Sequence, residues 1–204
     1  MSAPPLLGID IDGVLARPPF GLSVGMNRDV SLAPAQPTPR AGPVPSPRLR
    51  DHLLRAGYYR VRYIGRRPLP GARDVLEAAA ASGYALIALT GRDWRGRDAT
   101  EHWLRCNGLL PLLREVRMND SGRAGPRLSS PRFKEAVCAE LGIARHIEDD
   151  PATAALLARS GVDVDLIEWP RSRGLELPDG VTRRRDLAQL AAALRAEAAA
   201  RLDA

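Results

Sequence analysis

Two aspartates close the first apolar stretch of the sequence. Asp10 and Asp12 follow the run Leu6-Leu7-Gly8-Ile9, and Gly13 comes directly after them. A short Leu- and Ile-rich run that ends in Asp and Gly predicts a buried strand that stops where the sheet opens to solvent. In an open α/β sheet that edge is where ligands bind, so both carboxylates are expected at the mouth of a site. The same pattern also fits residues that only cap a strand and open a turn.

Three later positions carry polar groups at similar boundaries. Thr90-Gly91-Arg92 follows a second apolar run, and Lys134 lies in the first turn of a helix that is predicted to begin at Pro131. Asp149 and Asp150 stand just before an Ala- and Leu-rich helix. Taken singly, Thr90 is typical of a helix N-cap and Lys134 of a solvated cation in a first turn. Their common placement at element ends indicates one shared site.

The elements that must position these residues alternate along the chain. Periodicity, turn residues and helix stops predict strands at 6–11, 84–89, 112–118 and 162–167, with a short apolar pair at 146–147, and helices at 72–82, 98–107, 131–141, 151–160 and 183–200. Alternating strands and helices predict an α/β fold, a three-layer, Rossmann-like parallel sheet with helices on both faces. Right-handed crossovers join its strands.

A Pro- and Arg-rich segment at about 16–69 interrupts this alternation after the first strand. Pro18-Pro19 excludes a central strand or a helix there and predicts a turn or flap over the strand end. Within the segment, 30–50 is expected to be an exposed loop, 49–56 a short helix and 58–64 a half-exposed strand. We expect a small cap or flap, whose arginines at 60, 62, 66 and 67 either form a solvated face or steer an anionic substrate.

Composition limits the class of protein. The chain has 204 residues, a net charge of +6 and a pI near 10.1. Nearly all its cations are Arg, which reflects either attraction to phosphate and nucleic acid or the base composition of the gene. No apolar run approaches the roughly 20 residues that span a bilayer, and no basic segment precedes the first apolar run, so we expect a cytoplasmic protein with no membrane partner. Cys106 and Cys138 are expected to be buried, reduced thiols.

The order hhhhDxDG, hhhTGR, a Lys that opens a helix, and hhEDD before an Ala-rich helix resembles the haloacid dehalogenase (HAD) superfamily of aspartate-nucleophile phosphohydrolases. The resemblance runs from about 6 to 167 and implies a single HAD-like hydrolase domain over 1–204 with the insert as its variable part. It implies that Asp10 is the nucleophile, which forms an aspartyl-phosphate, and that Asp12 is the general acid and base. Members that cleave carbon–halogen bonds do not need this second acid, so a phosphate ester is the expected substrate.

The resemblance also implies how the substrate phosphate is held. The Thr90 hydroxyl and the amides that follow it, including that of Gly91, would bind a phosphoryl oxygen. Lys134 would balance the charge of Asp10 and of the phosphate. Arg92 either contacts the substrate or forms a surface salt bridge, and both roles stay open.

A divalent metal ion is implied as well, because several carboxylates around a dianionic phosphate repel one another unless a cation intervenes. Mg²⁺ is expected, with Asp10, the main-chain carbonyl of Asp12 and Asp149 as ligands and Asp150 as an indirect or water-mediated partner. Glu148 stands where Gly is common in the superfamily, so Asp149 and Asp150 could exchange roles.

Two subfamilies fit the details. The TGR motif, a Trp in the following helix, the 117–120 stretch and the double Asp resemble the 3′-phosphatase domain of polynucleotide kinases, although the chain contains no G-x-x-x-x-G-K-[ST] kinase loop. The short insert and the double Asp are also similar to 5′-nucleotidase-like members. Expected substrates are therefore a nucleotide, a nucleic-acid 3′-phosphate end or another small phosphate ester. Trp94 and Trp169, at predicted strand exits, either stack a base or line the rim.

The alternative from another class is a non-catalytic module that keeps the HAD fold and binds nucleic acid or a protein. Its Arg-rich surface would hold the partner, but it has no use for the acidic set, and burying unneeded carboxylates costs stability. The sequence leaves the oligomeric state open.

Overall fold

The computed structural model describes residues 3–17, 66–123 and 126–202. These ranges contain a six-stranded sheet with the strand order β3-β2-β1-β4-β5-β6, in which all neighbouring strands are parallel. Its strands are β1 (Leu6–Ile9), β2 (Ala85–Asp93), β3 (Glu115–Asn119), β4 (Arg145–Glu148), β5 (Asp163–Ile167) and β6 (Val181–Arg184). The predicted α/β class with a parallel sheet is confirmed.

Helices cover both faces of the sheet. They are α1 (Ala72–Ala81), α2 (Arg97–Cys106), α3 (Ser130–Leu141), α4 (Pro151–Arg159) and α5 (Leu187–Leu202). On one face, Leu7 and Ile9 of β1 belong to a buried cluster with residues of α1, α2 and α5. On the other face, Ile87 and Leu89 of β2 belong to a second cluster with residues of α3 and α4. The predicted three-layer arrangement is therefore present.

The strand order reverses direction at β1. The chain proceeds outward from β1 through β2 to β3, then returns to the other side of β1 and proceeds through β4 and β5 to β6. The connections after β1 and β4 diverge, which leaves a crevice beyond their carboxyl ends. Asp10 follows β1 directly, and its backbone N–H donates to the carbonyl of Ile147 on β4 at 3.0 Å. The first predicted site residue thus lies at the point of reversal.

Two boundaries differ from the prediction by four residues, and the others agree within three. The strand predicted to end at Leu89 continues to Asp93, with a register irregularity between Thr90 and Asp93. The helix predicted to begin at Arg183 begins at Leu187, because 181–184 form β6, an edge strand whose charged residues hide its pattern. The cap signal lay at Asp186, whose carboxylate accepts from the backbone N–H of Gln189 at 2.8 Å.

Most of the predicted insert, including the 49–56 helix and the 58–64 strand, lies outside the described residues. Its two ends are described, and they lie side by side. Arg17 donates from its backbone to Arg67 at 3.0 Å, and Leu69 donates to Leu15 at 2.9 Å. The segment therefore leaves and returns at the carboxyl end of β1. Both cysteines are free thiols, and Cys138 is buried as predicted, whereas Cys106 is exposed at the end of α2, so the prediction that it is buried is wrong. Within the described ranges, no helix combines the length and apolar character needed to cross a membrane.

Candidate active site

Three buried carboxylates meet where β1 and β4 end. Asp10 follows β1, Glu148 ends β4, and Asp149 comes next in the chain. None is more than 6% exposed, and one carboxylate oxygen from each lies within 4.8 Å of the others. Parallel neighbouring strands bring their carboxyl ends to one edge, which is why residues far apart in the sequence converge here.

Lys134 supplies positive charge to this cluster. It lies just after the first turn of α3, and its Nζ is 3.0 Å from Asp10 Oδ1 and 2.7 Å from Glu148 Oε2. Burial disfavours its charge, but the carboxylates of Asp10 and Glu148 outweigh burial and raise the Lys134 pKa. Burial raises the pKa of Asp10 to about 7, although Lys134 opposes the shift. Burial, then the charges of Glu148 and Asp10, also raise the pKa of Asp149.

Glu148 organises the base of the cluster. Its Oε2 accepts from Lys134 and lies 3.3 Å from His146 Nε2, while its Oε1 accepts the backbone N–H groups of Asp149 at 3.1 Å and Asp150 at 3.2 Å. Burial alone would raise the pKa of Glu148, but Lys134 and His146 outweigh it and lower this pKa. In the motif pattern, Glu148 stands out only as a departure from the Gly that is common in the superfamily. The available signal was a third acid next to two others at a strand end.

Asp149 and Asp150 point in different directions. The Asp150 carboxylate caps α4, accepting from the Thr153 backbone N–H at 3.0 Å and from its hydroxyl at 2.7 Å. Asp149 faces Asp10, and Arg171, which follows β5, donates to its carboxylate at 2.6 Å. Gly13 makes this approach possible, because a Cβ there would lie 2.0 Å from Asp149 Oδ2. Its φ of +85° also suits glycine.

Asp12 is held by two arginines instead of by the acidic cluster. Arg92 donates to both of its carboxylate oxygens, and Arg66 donates from Nη1 at 2.6 Å. Arg66 Nε also donates to the carbonyl of Arg17 at 2.7 Å, and Trp103 Nε1 donates to the Arg66 carbonyl at 3.0 Å. Arg66 is 8% exposed, so it does not belong to a solvated face. Its position depends on the return of the insert, which the sequence pattern does not reveal.

The Thr90-Gly91-Arg92 motif lies at the irregularity in β2. Thr90 is 1% exposed, and its hydroxyl accepts from the backbone N–H of Arg92 at 3.3 Å. Gly91 lies against α3, where a Cβ would meet the hydroxyl oxygen of Ser130 at 1.9 Å and its Cα at 2.9 Å. Irregular strand ends re-aim side chains, and here the irregularity turns Arg92 toward Asp12. The structure thus joins the motif to the first aspartate pair and to the helix of Lys134.

The two tryptophans predicted at strand exits have different surroundings. Trp169 follows β5, and its Nε1 donates to the carbonyl of Gly13 at 3.0 Å. This bond ties the segment that carries Arg171 to the turn after β1. Trp94 is half-buried just after β2 and contacts arginines.

Comparisons with known proteins identify the fold. No family model matches the sequence, and no curated protein matches it either. Among solved structures, a HAD family hydrolase from Deinococcus radiodurans R1 with bound phosphate and sodium is 23% identical, with a TM-score of 0.54 over 97% of this chain and 98% of that chain. A HAD phosphatase from Thermococcus onnurineus is 18% identical, with a TM-score of 0.55 over 93% and 97% of the two chains. The chain has the HAD fold.

A third HAD-fold structure, YfnB from Bacillus subtilis bound to magnesium, is 18% identical, with a TM-score of 0.52 over 70% of this chain and 62% of that chain. Identities in this range show a shared HAD fold. The fold resemblance inferred from the four motifs is therefore confirmed, and the roles of the site residues rest on the geometry of this chain.

Proposed function

We propose that the protein is a metal-dependent phosphomonoester hydrolase with Asp10 as its nucleophile. One observation supports this most directly, the placement of Asp10 at the reversal point of the sheet, 3.0 Å from the buried Lys134 and beside Asp149. A carboxylate with a cation at its side, at the edge of the sheet where ligands bind, is what nucleophilic attack on a phosphate needs. The phosphate bound in the Deinococcus structure and the name of the Thermococcus phosphatase support the same assignment.

The acidic cluster fits a hard divalent cation. Its donors are carboxylate oxygens, which Mg²⁺ prefers, and the two cations Lys134 and Arg171 do not balance three buried acids. We assign Asp10, Asp149 and the main-chain carbonyl of Asp12 as ligands, with Asp150 as an indirect partner. The Glu148 carboxylate is engaged by Lys134 and two backbone amides, so we assign it the positioning of Lys134. Bound Mg²⁺ supplies charge neutralisation for the phosphoryl oxygens and the carboxylates. The magnesium in YfnB supports this choice.

The proposed reaction has two displacement steps. Asp10 attacks the phosphorus atom through a carboxylate oxygen, and the bond to the leaving oxygen breaks as Asp12 transfers a proton to it. The product is an aspartyl-phosphate. Asp12 then takes a proton from the attacking water, the phosphorus bond to Asp10 breaks, and inorganic phosphate leaves. Lys134 and the amides after Thr90 stabilise the charge on the phosphoryl oxygens throughout.

Arg92 connects phosphate binding to acid catalysis in this scheme. Before the substrate enters, Arg92 and Arg66 both bind the Asp12 carboxylate. A guanidinium pairs with phosphate as readily as with carboxylate, so an incoming phosphate dianion can take Arg92 from Asp12. Asp12, which then keeps only Arg66 of its two arginine partners, takes up a proton from solvent and holds it beside the leaving oxygen. This exchange couples the arrival of the substrate to the availability of the acid.

We propose a phosphorylated small molecule as the substrate class, and a nucleotide or a nucleic-acid 3′-phosphate end within it, hydrolysed in the cytoplasm. The excess of Arg over acidic residues supports attraction of polyanions. The subfamily resemblance of the TGR motif and the double Asp supports nucleotides. A binding module without catalysis has no such use for Lys134 and the acids that it bridges.

Phosphate release tests the proposal. With Mg²⁺, the purified protein should hydrolyse p-nitrophenyl phosphate and a nucleoside monophosphate, and EDTA should abolish turnover. Asp10→Asn should reduce kcat by more than about 10³-fold, as removal of a nucleophile does, while circular dichroism remains unchanged. A wild-type protein inactive across a broad panel of phosphate esters, yet binding oligonucleotides in a salt-dependent way, would contradict the hydrolase and support the module.

A further inference from the structure

A basic surface with an aromatic centre adjoins the phosphate-binding motif. Asp93 ends β2 two residues before Arg95, and Trp94 opens the short 3₁₀ turn between β2 and α2. Arg123 ends a 3₁₀ turn just after β3, and Arg127 follows in the same connection. We call these five residues the Trp94 patch. It lies at the carboxyl edge of the sheet, immediately beyond Arg92.

Stacking on the indole ring orients the arginines. The guanidinium carbon of Arg123 lies 4.6 Å from the centroid of the Trp94 ring, and that of Arg95 lies 5.6 Å from it. Both distances fall within the range of cation–π attraction. Stacking uses the flat face of a guanidinium and leaves the N–H groups on its edge available for a phosphate oxygen.

The Trp94 patch has more positively charged than negatively charged side chains. Asp93 pairs with Arg95 at 3.3 Å and with Arg127 at 3.5 Å, so one carboxylate serves two arginines. Their side chains are 49% and 55% exposed. In the part of the chain that the structure describes, no carboxylate pairs with Arg123. Three cations and one anion therefore form a net positive surface around a half-buried indole.

We propose that the Trp94 patch binds the single-stranded nucleic acid that carries the phosphate to be hydrolysed. Guanidinium edges suit the phosphodiester groups, and the indole offers a stacking surface to a base when an arginine moves aside. This combination of cations and one aromatic ring is typical of single-strand binding, whereas a small phosphate ester would not extend beyond Arg92. The inference rests on the proposed function in one respect, since the terminal phosphate must lie at Thr90 and Arg92.

A comparison of substrate lengths tests the patch. We would measure kcat/KM for thymidine 3′-monophosphate and for a five-nucleotide oligothymidylate with a 3′-phosphate. Wild type should prefer the oligonucleotide by about tenfold, in line with the contribution of one stacked base and two phosphate contacts. The Arg123→Ala/Arg127→Ala variant changes exposed side chains and should lose this preference while keeping wild-type activity on the mononucleotide. Trp94→Leu should also reduce the preference.

Arg159→Ala is the matched control, because Arg159 is an exposed arginine at the end of α4, on the opposite edge of the sheet. It should retain the length preference. Equal kcat/KM for the two substrates in wild type would overturn the inference, and so would a double variant that retains the preference.

Direct binding separates the patch from the proposed function. Fluorescence anisotropy of a labelled, unphosphorylated oligothymidylate reports binding without hydrolysis. The slope of log Kd against log salt should become shallower by about 1.4 in the double variant, because two phosphate contacts to a single strand are lost. If the protein hydrolyses no ester but this difference in slope remains, the proposed hydrolase activity is contradicted and nucleic-acid binding by the Trp94 patch is supported. If the mononucleotide is hydrolysed and the slopes of wild type and double variant agree, nucleic-acid binding by the patch is contradicted and the hydrolase activity is supported.

Discussion

At Asp10 a single lysine lies between two of three buried acids. Lys134 contacts Asp10 and Glu148 directly, and Asp149 completes the cluster with Arg171 as its own partner. The charge balance is uneven, because burial raises the pKa of Asp10 to about 7 and also raises the pKa of Asp149. Protons therefore compete with any cation for these oxygens. The stability of the metal-free protein should depend on pH in consequence.

The Asp10 carboxyl should make the metal-free protein less stable as pH rises. The pKa of Asp10 is about 7 in the folded protein and 3.8 in the unfolded chain. Between these two pH values, the folded state therefore holds a proton that the unfolded state has lost. The contribution of this proton to the free energy of unfolding is complete below about pH 4 and is lost as pH rises through 7. Asp10→Asn cannot ionise, so in EDTA at pH 8 its free energy of unfolding should exceed that of wild type by on the order of 2–4 kcal/mol. Urea unfolding at several pH values measures this.

The advantage of Asp10→Asn should shrink at pH 5, where the wild-type carboxyl already carries its proton. Asp179→Asn, at an exposed position beyond β5, is the control for loss of one carboxyl group. It should show no such pH-dependent difference from wild type. If Asp10→Asn were less stable than wild type at pH 8, the attraction of Lys134 for the ionised Asp10 carboxylate would exceed the cost of burying that charge.

At the scale of elements, strand ends and helix starts aim the side chains. The irregular end of β2 turns Arg92 toward Asp12, and Gly91 allows that end to lie against Ser130 of α3. The same helix brings Lys134 to Asp10. A residue with a Cβ at 91 would push α3 away, since the obstacle includes the Ser130 backbone. The catalytic edge therefore depends on how closely β2 and α3 approach each other.

The start of α4 distinguishes the two adjacent aspartates. Asp150→Ala should lower the free energy of unfolding by about 1 kcal/mol, because it removes the cap at the start of α4, whereas Asp150→Ser should restore the cap.

The two aspartates should also differ in their effect on Mg²⁺ affinity, measured by calorimetry. Asp150→Ser should bind Mg²⁺ with an affinity within a few-fold of wild type. Asp149→Asn should lose more than about tenfold in Mg²⁺ affinity, since it removes a proposed ligand. Equal losses in Asp150→Ser and Asp149→Asn would show that Asp150 binds the metal directly.

For the whole molecule, local patterns predicted the elements and the motif positions. Alternating strands and helices predict the parallel sheet, and the predicted helix start at Pro131 lies one residue from the observed start at Ser130, which places Lys134 near the beginning of α3. Contacts between distant segments did not follow from pattern. Arg66 reaches Asp12 across 54 positions because the insert returns beside β1, and Arg171 reaches Asp149 across 22. Neither arginine has a local signal, because a buried and a solvated arginine look alike in sequence.

Charged side chains form networks both at the proposed site and away from it. At the carboxyl edge, four acids pair with four cations: Asp10, Asp12, Glu148 and Asp149 with Lys134, Arg66, Arg92 and Arg171. Away from this edge, Asp165 in the middle of β5 is 2% exposed and accepts from Arg145 at 2.8 Å and from Arg184 at 2.6 Å. Arg145 also binds Glu197 of α5 at 2.6 Å. This second network joins β4, β5, β6 and α5, and none of its residues belongs to the proposed site. Its role should therefore be stability without catalysis.

Asp165→Ala should destabilise the protein and leave catalysis unchanged. The variant leaves two arginines without their shared carboxylate, and breaking such a buried pair costs about 3–5 kcal/mol. Glu197→Gln should cost below about 1 kcal/mol, because Glu197 is 35% exposed and solvent screens the pair. Urea unfolding measures both, and kcat/KM on p-nitrophenyl phosphate, taken where every variant is folded, should match wild type. A loss of kcat/KM in folded Asp165→Ala would show instead that strain around Asp165 reaches Asp10 through β4 and β1.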